Sequence, residues 1–280
     1  MVNNRLKNIF LKSIEEKTKG HNKIALSLSS GIDSLAIAFG LQDLGKEITA
    51  YTLHIDNVES TDWKYAKRNA YIFNFPIVEC IIPNTLNYMY LHRLIRTYKL
   101  YKKTDIECLY PYFYVLPKIK EDILLTGVGA DNYFGLSKKA MIHYKSSLEL
   151  LNEFRIKYIT NKRFNMDKDL EIIAKNEYNI KIGSPYLHSP EMMEYFLDKD
   201  WDQCNKPKQK QLFLDMFPNR FSNIKIIKHT NLQCGDSQIR ELFEPILKDN
   251  TTNSRNRTRV MDVYRDIHKI YHKKQKELTI

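Results

Sequence analysis

The sequence predicts an α/β fold, a doubly wound parallel sheet with a mainly helical C-terminal half packed on it. Short apolar segments alternate with helix-length amphipathic segments through the first half of the 280 residues. Parallel strands need crossover connections of that length, so the alternation predicts βαβ units and a sheet covered on both faces. From about residue 140 the pattern becomes helical. We expect a single domain over residues 1–280, with an α/β part over about 1–139 and a mainly helical part over about 140–280.

The individual elements follow from hydrophobic periodicity and from helix-end signals. Strands are predicted at 24–28, 48–55, 77–82 and 123–126, and helices at 33–44, 61–73, 190–197, 207–217, 239–247 and 260–271. Gly45 is the predicted C-terminal cap of the helix at 33–44. Loops with glycine follow the first and fourth strands. Ligands bind at the carboxyl ends of strands in such sheets, so the two loops are expected to share one site.

Composition excludes several classes of protein. Hydrophobic residues make up 43% of the chain and charged residues 28%, which are ordinary values for a protein with a buried core. No apolar run approaches the length of a membrane span, so we expect a cytoplasmic protein with no membrane partner. The four cysteines form no CxxC pair, which argues against a zinc knuckle, a redox dithiol or a disulfide framework. The net charge of +11 favours anionic partners such as nucleotides or nucleic acid.

The first predicted strand leads directly into a turn of small residues and then into a helix. A turn of this kind brings backbone N–H groups close to an anion, and the helix N-terminus adds unpaired donors and a positive dipole end. The turn consists of Ser29, Ser30, Gly31, Ile32, Asp33 and Ser34. Asp33 would repel a phosphate unless a cation intervened, so a metal ion is expected. A capped turn, in which Asp33 or Ser34 only satisfies helix donors, explains the spacing equally well.

This turn resembles the Ser-Gly-Gly-x-Asp-Ser signature of the N-type ATP-pyrophosphatases, which bind ATP and release pyrophosphate from it. Ser30 stands where that signature carries glycine. A serine fits a tight turn if the backbone stays at negative φ. The Walker pattern is absent from the sequence, which disfavours kinase chemistry at the γ-phosphate.

The second loop, residues 126–135, resembles the Gly-Glu-Gly-Ala-Asp-Glu-x-Phe-Gly-Gly segment of asparagine synthetases and the Gly-Tyr-Gly-Ala-Asp segment of β-lactam synthetases. In that family the aspartate of each loop binds Mg²⁺ against ATP and pyrophosphate, which implies this role for Asp33 and Asp131. The resemblance also implies nucleotide contacts from Leu53, Thr126 and Gly127. The implied fold is adenine nucleotide alpha hydrolase-like, with its nucleotide-binding part over about 1–139.

Three later segments carry the same resemblance. Residues 182–188 and the following helix look like the family's Arg-Val-Pro-Phe-Leu-Asp segment, with His188 in place of the acidic residue. Residues 210–214 look like its Lys-x-x-Leu-Arg helix, with Leu214 in place of arginine. Lys228 precedes a glycine-containing stretch as the family's catalytic lysine does. The resemblance implies that Lys228 is the catalytic cation, and Lys210 is the competitor for that role.

The implied function is an AMP-forming ligase that adenylates a carboxylate with Mg-ATP and passes it to an amine. The first cysteine is Cys80, so no glutaminase nucleophile is expected. The nitrogen would come from ammonia, an amine or a separate amidotransferase subunit. Val128 replaces the glutamate or tyrosine of the resembling loops, so we do not expect an aspartate-to-asparagine enzyme. The base would be water, product phosphate or a side chain such as Tyr133 or His143.

Two other functions remain open from the sequence. A nucleic-acid modifying enzyme of the same superfamily would adenylate a base carbonyl, as lysidine synthetases do, and the basic segment near the C-terminus suits it. A nucleotide-binding protein without turnover is the third class. It is suggested by departures from the resembling motifs at Ser30, Val128, Asn132 and Leu214.

Overall fold

The computed structural model describes residues 3–100, 102–160, 166–227 and 238–243. The strands are β1 (Lys23–Ser27), β2 (Glu47–Ile55), β3 (Ile77–Ile82), β4 (Ile123–Leu125) and β5 (Lys181–Gly183). The helices are α1 (Asn4–Lys17), α2 (Ile32–Asp43), α3 (Thr61–Ile72), α4 (Tyr88–Arg96), α5 (Lys103–Leu109), α6 (Tyr112–Val115), α7 (Ala130–Phe134), α8 (Lys138–His143), α9 (Leu148–Ile159), α10 (Met166–Tyr178), α11 (Pro190–Leu197), α12 (Trp201–Asn205), α13 (Gln211–Leu214) and α14 (Pro218–Phe221). Residues 239–243 are also helical, and none of the described helices is long and apolar enough to cross a membrane.

The strands form one sheet in the order β3-β2-β1-β4-β5, which confirms the predicted doubly wound α/β fold. The β1/β2, β1/β4 and β4/β5 pairings are parallel. β1 is central because Ile24, Ala25 and Leu26 are apolar on both faces, and all three are fully buried. The chain leaves β1 toward β2 and later returns to β4 on the other side. The reversal of strand order therefore lies between β1 and β4, where ligands bind in open α/β sheets.

The chain divides into two compact units. The larger contains Met1–Thr52, Asp62–Val78 and Ile119–Lys228, and the smaller contains Leu53–Thr61, Glu79–Lys118 and His229–Ile280. The larger unit contains an aromatic stack formed by Phe10, Tyr186 and Phe213. Tyr186 stands at its centre, with ring centroids 5.2 Å from both Phe10 and Phe213. In the smaller unit Tyr90 stacks on Phe113 with centroids 4.7 Å apart.

Several predicted elements differ from the structure. The predicted helix at 207–217 is wrong over most of its length, since only Gln211–Leu214 is helical. The reason is Lys210, whose φ of +59° is left-handed and cannot continue a right-handed helix. α1 and β5 were not predicted, and the three residues of β5 are too few to show a strand periodicity. The predicted helix at 260–271 lies outside the described residues.

Candidate active site

The loop between β1 and α2 is closed by its own serine hydroxyls. The Ser34 hydroxyl lies 2.9 Å from the Ser29 hydroxyl, accepts the Ser29 N–H at 3.1 Å, and is within 3.1 Å of the Ser29 carbonyl oxygen. The Gly31 N–H donates to the Ser29 hydroxyl at 3.1 Å. Gly31 is the N-cap residue of α2 and no side chain caps the helix there. The loop therefore places backbone and hydroxyl donors at a helix N-terminus, where an anion cradle needs them, and the N–H groups of Ser29 and Gly31 are bonded to its own hydroxyls.

Ser30 is held by an acidic residue that sequence reasoning missed. Its backbone N–H and its hydroxyl both donate to Oδ1 of Asp62, at 2.8 and 2.5 Å. Asp62 lies in the first turn of α3, and Ser30 is 3% exposed. The residue that departs from the resembling signature thus makes a specific side-chain contact of its own. Nothing in the local sequence around Asp62 signalled this contact, because the two residues are 32 positions apart.

The second loop packs directly against the first. A Cβ added at Gly127 would lie 3.2 Å from the Asp33 Cβ, so the backbones of the two loops approach closely. Gly129 has φ +93° and is the N-cap residue of α7, which carries Asp131 in its first turn. A Cβ at Gly129 would lie 2.5 Å from Leu187 Cδ2. Only glycine satisfies both the left-handed backbone and this close contact.

The segment that follows β5 donates a side-chain hydrogen bond to each of the two loops. The Ser184 hydroxyl donates to the carbonyl oxygen of Val128 at 2.6 Å. The hydroxyl of Tyr186, a residue with no exposed surface, donates to the carbonyl oxygen of Asp33 at 2.8 Å. Burial raises the pKa of Tyr186 well above its ordinary value, and the carboxylates of Asp33 and Asp131 add to this effect. Tyr186 is therefore a neutral hydrogen-bond donor that positions the start of α2.

Lys210 joins the two loops. Its Nζ lies 2.5 Å from Oδ2 of Asp33 and 2.6 Å from Oδ1 of Asp131, and its side chain is only 3% exposed. Burial by itself would lower the pKa of Lys210, but the two carboxylates outweigh it and the pKa is raised. The lysine is therefore charged, and the three groups together carry one net negative charge.

The backbone at Lys210 explains how the lysine reaches this position. The Lys210 N–H donates to Oδ1 of Asn205 at 3.1 Å, and Nδ2 of Asn205 donates to the carbonyl oxygens of Phe134 and Trp201, both at 3.0 Å. Asn205 thus ties the Lys210 backbone to the end of α7, the helix that carries Asp131. The left-handed φ at Lys210 is held by these contacts and by the start of α13, which supports its assignment to a functional position.

A buried arginine holds the same end of α7. Nε of Arg155 donates to the Tyr133 carbonyl oxygen at 2.8 Å, and its Nη1 donates to the carbonyl oxygens of Phe196 and Lys199 at 2.6 and 2.8 Å. The side chain has no exposed surface. Burial lowers the pKa of Arg155 from its ordinary value, which is so high that the group stays charged. The C-terminal end of α7 is therefore held by both Asn205 and Arg155.

The described residues fit a Mg²⁺ ion carried by a nucleotide. Asp33 and Asp131 come from two loops and direct one carboxylate oxygen each toward the same ammonium group. Mg²⁺ is commonly held by one or two carboxylates together with substrate phosphate oxygens, so two carboxylates are sufficient. Within the described ranges no group of three or more histidine, cysteine, aspartate or glutamate side chains could hold a metal without such help.

The other predicted site residues fall into three groups. Ile32, Thr126 and Gly127 lie beside the two aspartates, at the start of α2 and directly after β4. Leu53 is half-buried on β2 and belongs to the smaller unit. Lys228 lies outside the described residues. A further carboxylate was missed: Oδ1 of Asp167 accepts the Thr126 hydroxyl at 3.4 Å, and burial raises the pKa of Asp167 to about 6.

Burial excludes two cysteines and one candidate base of the described residues from the proposed chemistry. Cys80, Cys108 and Cys204 are buried free thiols, and Cys234 lies outside the described residues. Burial raises the pKa of Cys80 and of Cys204 to about 11, so neither is a thiolate near neutral pH. Tyr133 has no exposed surface, and its burial raises its pKa. It is therefore no candidate for the proton acceptor.

Comparison with known proteins identifies the family of this chain. The family model for asparagine synthase matches residues 5–272. No curated protein sequence matches the chain. Similar solved structures include the U34-tRNA thiolase NcsA from Methanococcus maripaludis, with 14% identity over 96% of this chain and 77% of that chain and a TM-score of 0.38. NMN synthetase from Francisella tularensis has 15% identity over 91% of this chain and 98% of that chain, with a TM-score of 0.36. The family match spans nearly the whole sequence, and the chain belongs to the asparagine synthase family of ATP-dependent synthetases.

Proposed function

We propose that this protein is an AMP-forming, Mg-ATP-dependent ligase that adenylates a substrate carboxylate or carbonyl and transfers it to an amine or ammonia. The observation that carries the proposal is the contact of Lys210 with Asp33 and Asp131. It brings together two carboxylates and a cation at the carboxyl ends of β1 and β4, beside a loop of anion donors. Family membership supports the use of ATP.

In this proposal the chain's own groups divide the work. The donors of residues 29–34 hold the nucleotide phosphates, and Asp33 and Asp131 hold the metal. Mg²⁺ neutralises charge on the pyrophosphate leaving group when bound there. Once the carboxylates bind a divalent cation, the Lys210 ammonium can donate to phosphate oxygens or to the substrate oxyanion. Lys228 and Leu53 remain a proposed catalytic cation and a proposed nucleotide contact.

The second loop limits the choice of acceptor. Val128 can neither accept nor relay a proton, and the burial of Tyr133 leaves water, product phosphate or another side chain such as the exposed His143 as the base. An aliphatic wall also disfavours a charged amino-acid substrate, because desolvating an uncompensated charge is costly. We expect a bulkier or less charged acceptor than aspartate. Incubation with aspartate, ammonia and Mg-ATP should yield no asparagine by mass spectrometry.

The proposed reaction is tested by incubating the protein with Mg-ATP and pooled candidate acids and amines. The expected products are AMP and pyrophosphate, separated by chromatography. ADP as the nucleotide product would remove the proposed function, because it would show cleavage between the β and γ phosphates. Omitting the acids is the control, since adenylation needs an acceptor. Adding a glutamine-hydrolysing subunit tests a separate amidotransferase as the nitrogen source.

One observation favours modification of a nucleic acid as a second candidate function. In the smaller unit one face of α4 carries Met89, His92, Arg93 and Arg96, which recur at helical spacing. Met89 is 74% exposed, and Arg93 and Arg96 are exposed as well. Cationic side chains on one exposed helix face suit a phosphate backbone. Electrophoretic binding to tRNA or single-stranded DNA across a salt series distinguishes the two candidates, with loss of binding in Arg93→Gln/Arg96→Gln supporting the nucleic acid.

A further inference from the structure

The three consecutive N–H groups of the first loop all have acceptors within the protein, but the acceptors differ in kind. The N–H groups of Ser29 and Gly31 donate to serine hydroxyls. The Ser30 N–H donates to the Asp62 carboxylate at 2.8 Å. A hydroxyl can rotate and donate its own proton to an arriving phosphate, whereas a carboxylate only accepts and carries a negative charge. Asp62 is thus the only one of these acceptors that opposes an anion.

The side chain of Ser30 strengthens this contact. Its hydroxyl donates to the same Asp62 oxygen at 2.5 Å, so one carboxylate oxygen takes both donors of the residue. A glycine at this position would supply the N–H alone. Hydrogen bonds to an ionised acceptor are shorter and stronger than neutral ones. The loop therefore holds an internal anion through the two donors that a phosphate at this point would need.

We propose that Asp62 competes with nucleotide phosphate for the donors of Ser30 and thereby sets the affinity of the protein for nucleotide. This inference rests on the proposed function, because it takes residues 29–34 to be the phosphate-binding loop. A phosphate that uses the Ser30 donors must displace the carboxylate, and a carboxylate that remained beside the phosphate would repel it. Asp62 would lower the affinity for nucleotide in two ways. It occupies the donors of Ser30, and its negative charge repels phosphate.

The test compares the affinity of three proteins for inorganic pyrophosphate and for ATP, both with Mg²⁺, by titration calorimetry. The proteins are the wild type, Asp62→Asn and Asp122→Asn. The first variant keeps the shape and an acceptor oxygen but removes the charge. The second removes the same charge from a side chain that is 87% exposed and directly precedes β4, at the amino end of that strand, whereas the loops of the site follow the carboxyl ends of β1 and β4. It therefore controls for the general effect of net charge on anion binding.

We expect Asp62→Asn to bind pyrophosphate about 10-fold more tightly or better, because replacing a charged acceptor weakens the internal contact that the anion must break. Asp122→Asn should bind like the wild type. Unfolding midpoints give a second measure: without ligand the midpoint of Asp62→Asn should be lower than that of the wild type, and the upward shift caused by pyrophosphate should be larger.

Two results would overturn the inference in distinguishable ways. In the first, the wild type binds pyrophosphate or ATP, and folded Asp62→Asn binds it with the same or a lower affinity. Asp62 would then order the loop rather than compete with phosphate, and the proposed function would stand. A wild type that binds neither pyrophosphate nor ATP would remove the inference and the proposed function together.

Discussion

The Nζ of Lys210 lies 2.6 Å from Oδ1 of Asp131, although 79 positions separate the two residues in the sequence, and the lysine side chain is 3% exposed. The same ammonium group contacts Asp33, so a single cation balances two carboxylates from two loops. Such an arrangement is costly to bury and is lost if any member is removed. It is therefore better explained by function than by stability.

Replacing Lys210 with methionine should destabilise the protein by about 3–5 kcal/mol in the absence of divalent cations, because two carboxylates would face each other uncompensated. Mg²⁺ should recover more stability in this variant than in the wild type. Urea unfolding with and without Mg²⁺ measures both effects. Lys206→Met is the matched control: Lys206 pairs with Asp202 but is 64% exposed, so its loss should cost about 1 kcal/mol or less. Equal Mg²⁺ effects in Lys210→Met and the wild type would contradict a shared cation site.

Gly129 tests whether the second loop depends on close packing. Gly129→Ala places a methyl group against Leu187 and strains a backbone at φ +93°. Gly20→Ala introduces similar strain at φ +81° with no atom within 4 Å, and should cost about 1–2 kcal/mol. Gly129→Ala should lower the free energy of unfolding by more than Gly20→Ala does. It should also weaken Mg²⁺-dependent nucleotide binding, because Asp131 on the adjoining helix would be displaced. Equal costs and intact binding would show that the loop yields without moving the aspartate.

Asp167 predicts a specific dependence of stability on pH. Its pKa is raised to about 6 by burial, against the opposing Thr126 hydrogen bond and Lys17 charge and with added repulsion from Glu171. Because the folded pKa exceeds the unfolded one, the carboxylate destabilises the fold above pH 6, and this cost disappears as pH falls below about 4. The upper limit is about 3 kcal/mol, from about two pKa units at 1.36 kcal/mol each.

The corresponding experiment compares the wild type with Asp167→Asn by urea unfolding between pH 4 and pH 8. The variant should be the more stable protein at pH 8, and the difference should shrink steadily between pH 6 and pH 4. Asp122→Asn, whose side chain is 87% exposed, should follow the wild type throughout. A difference that is constant with pH would assign the effect to packing rather than to ionisation.

Four of the five strands and the two loops could be predicted from the sequence because local signals encode them. β1 is followed at once by small residues, and the apolar segment of β3 is bounded by Pro76 and Pro83, so strand ends were nearly correct. The three residues of β5 carry too little periodicity to distinguish a strand. α13 was overextended because the left-handed backbone at Lys210 is imposed by Asn205 and not by the residue itself.

Only part of the candidate site could be predicted from the sequence, because some of its contacts form only in the folded chain. Asp33 and Asp131 stood in recognisable loops, whereas Asp62, Asp167 and Tyr186 contribute through contacts made only in the folded chain. No motif marks a helix aspartate that reaches back to a loop 32 positions earlier. The resemblance named two lysines, and the described part of the chain places one of them between the aspartates.

The central claim is that Asp33 and Asp131 hold one metal ion carried by one nucleotide. It is tested most directly by calorimetric binding of a non-hydrolysable ATP analogue, with and without Mg²⁺, to the wild type, Asp33→Asn, Asp131→Asn and the double variant. The account predicts that each single change abolishes the Mg²⁺-dependent gain in affinity and that the double change loses no more, a coupling of about 1–3 kcal/mol. Losses that simply add in the double variant, or a full Mg²⁺ effect in either single variant, would contradict a shared metal.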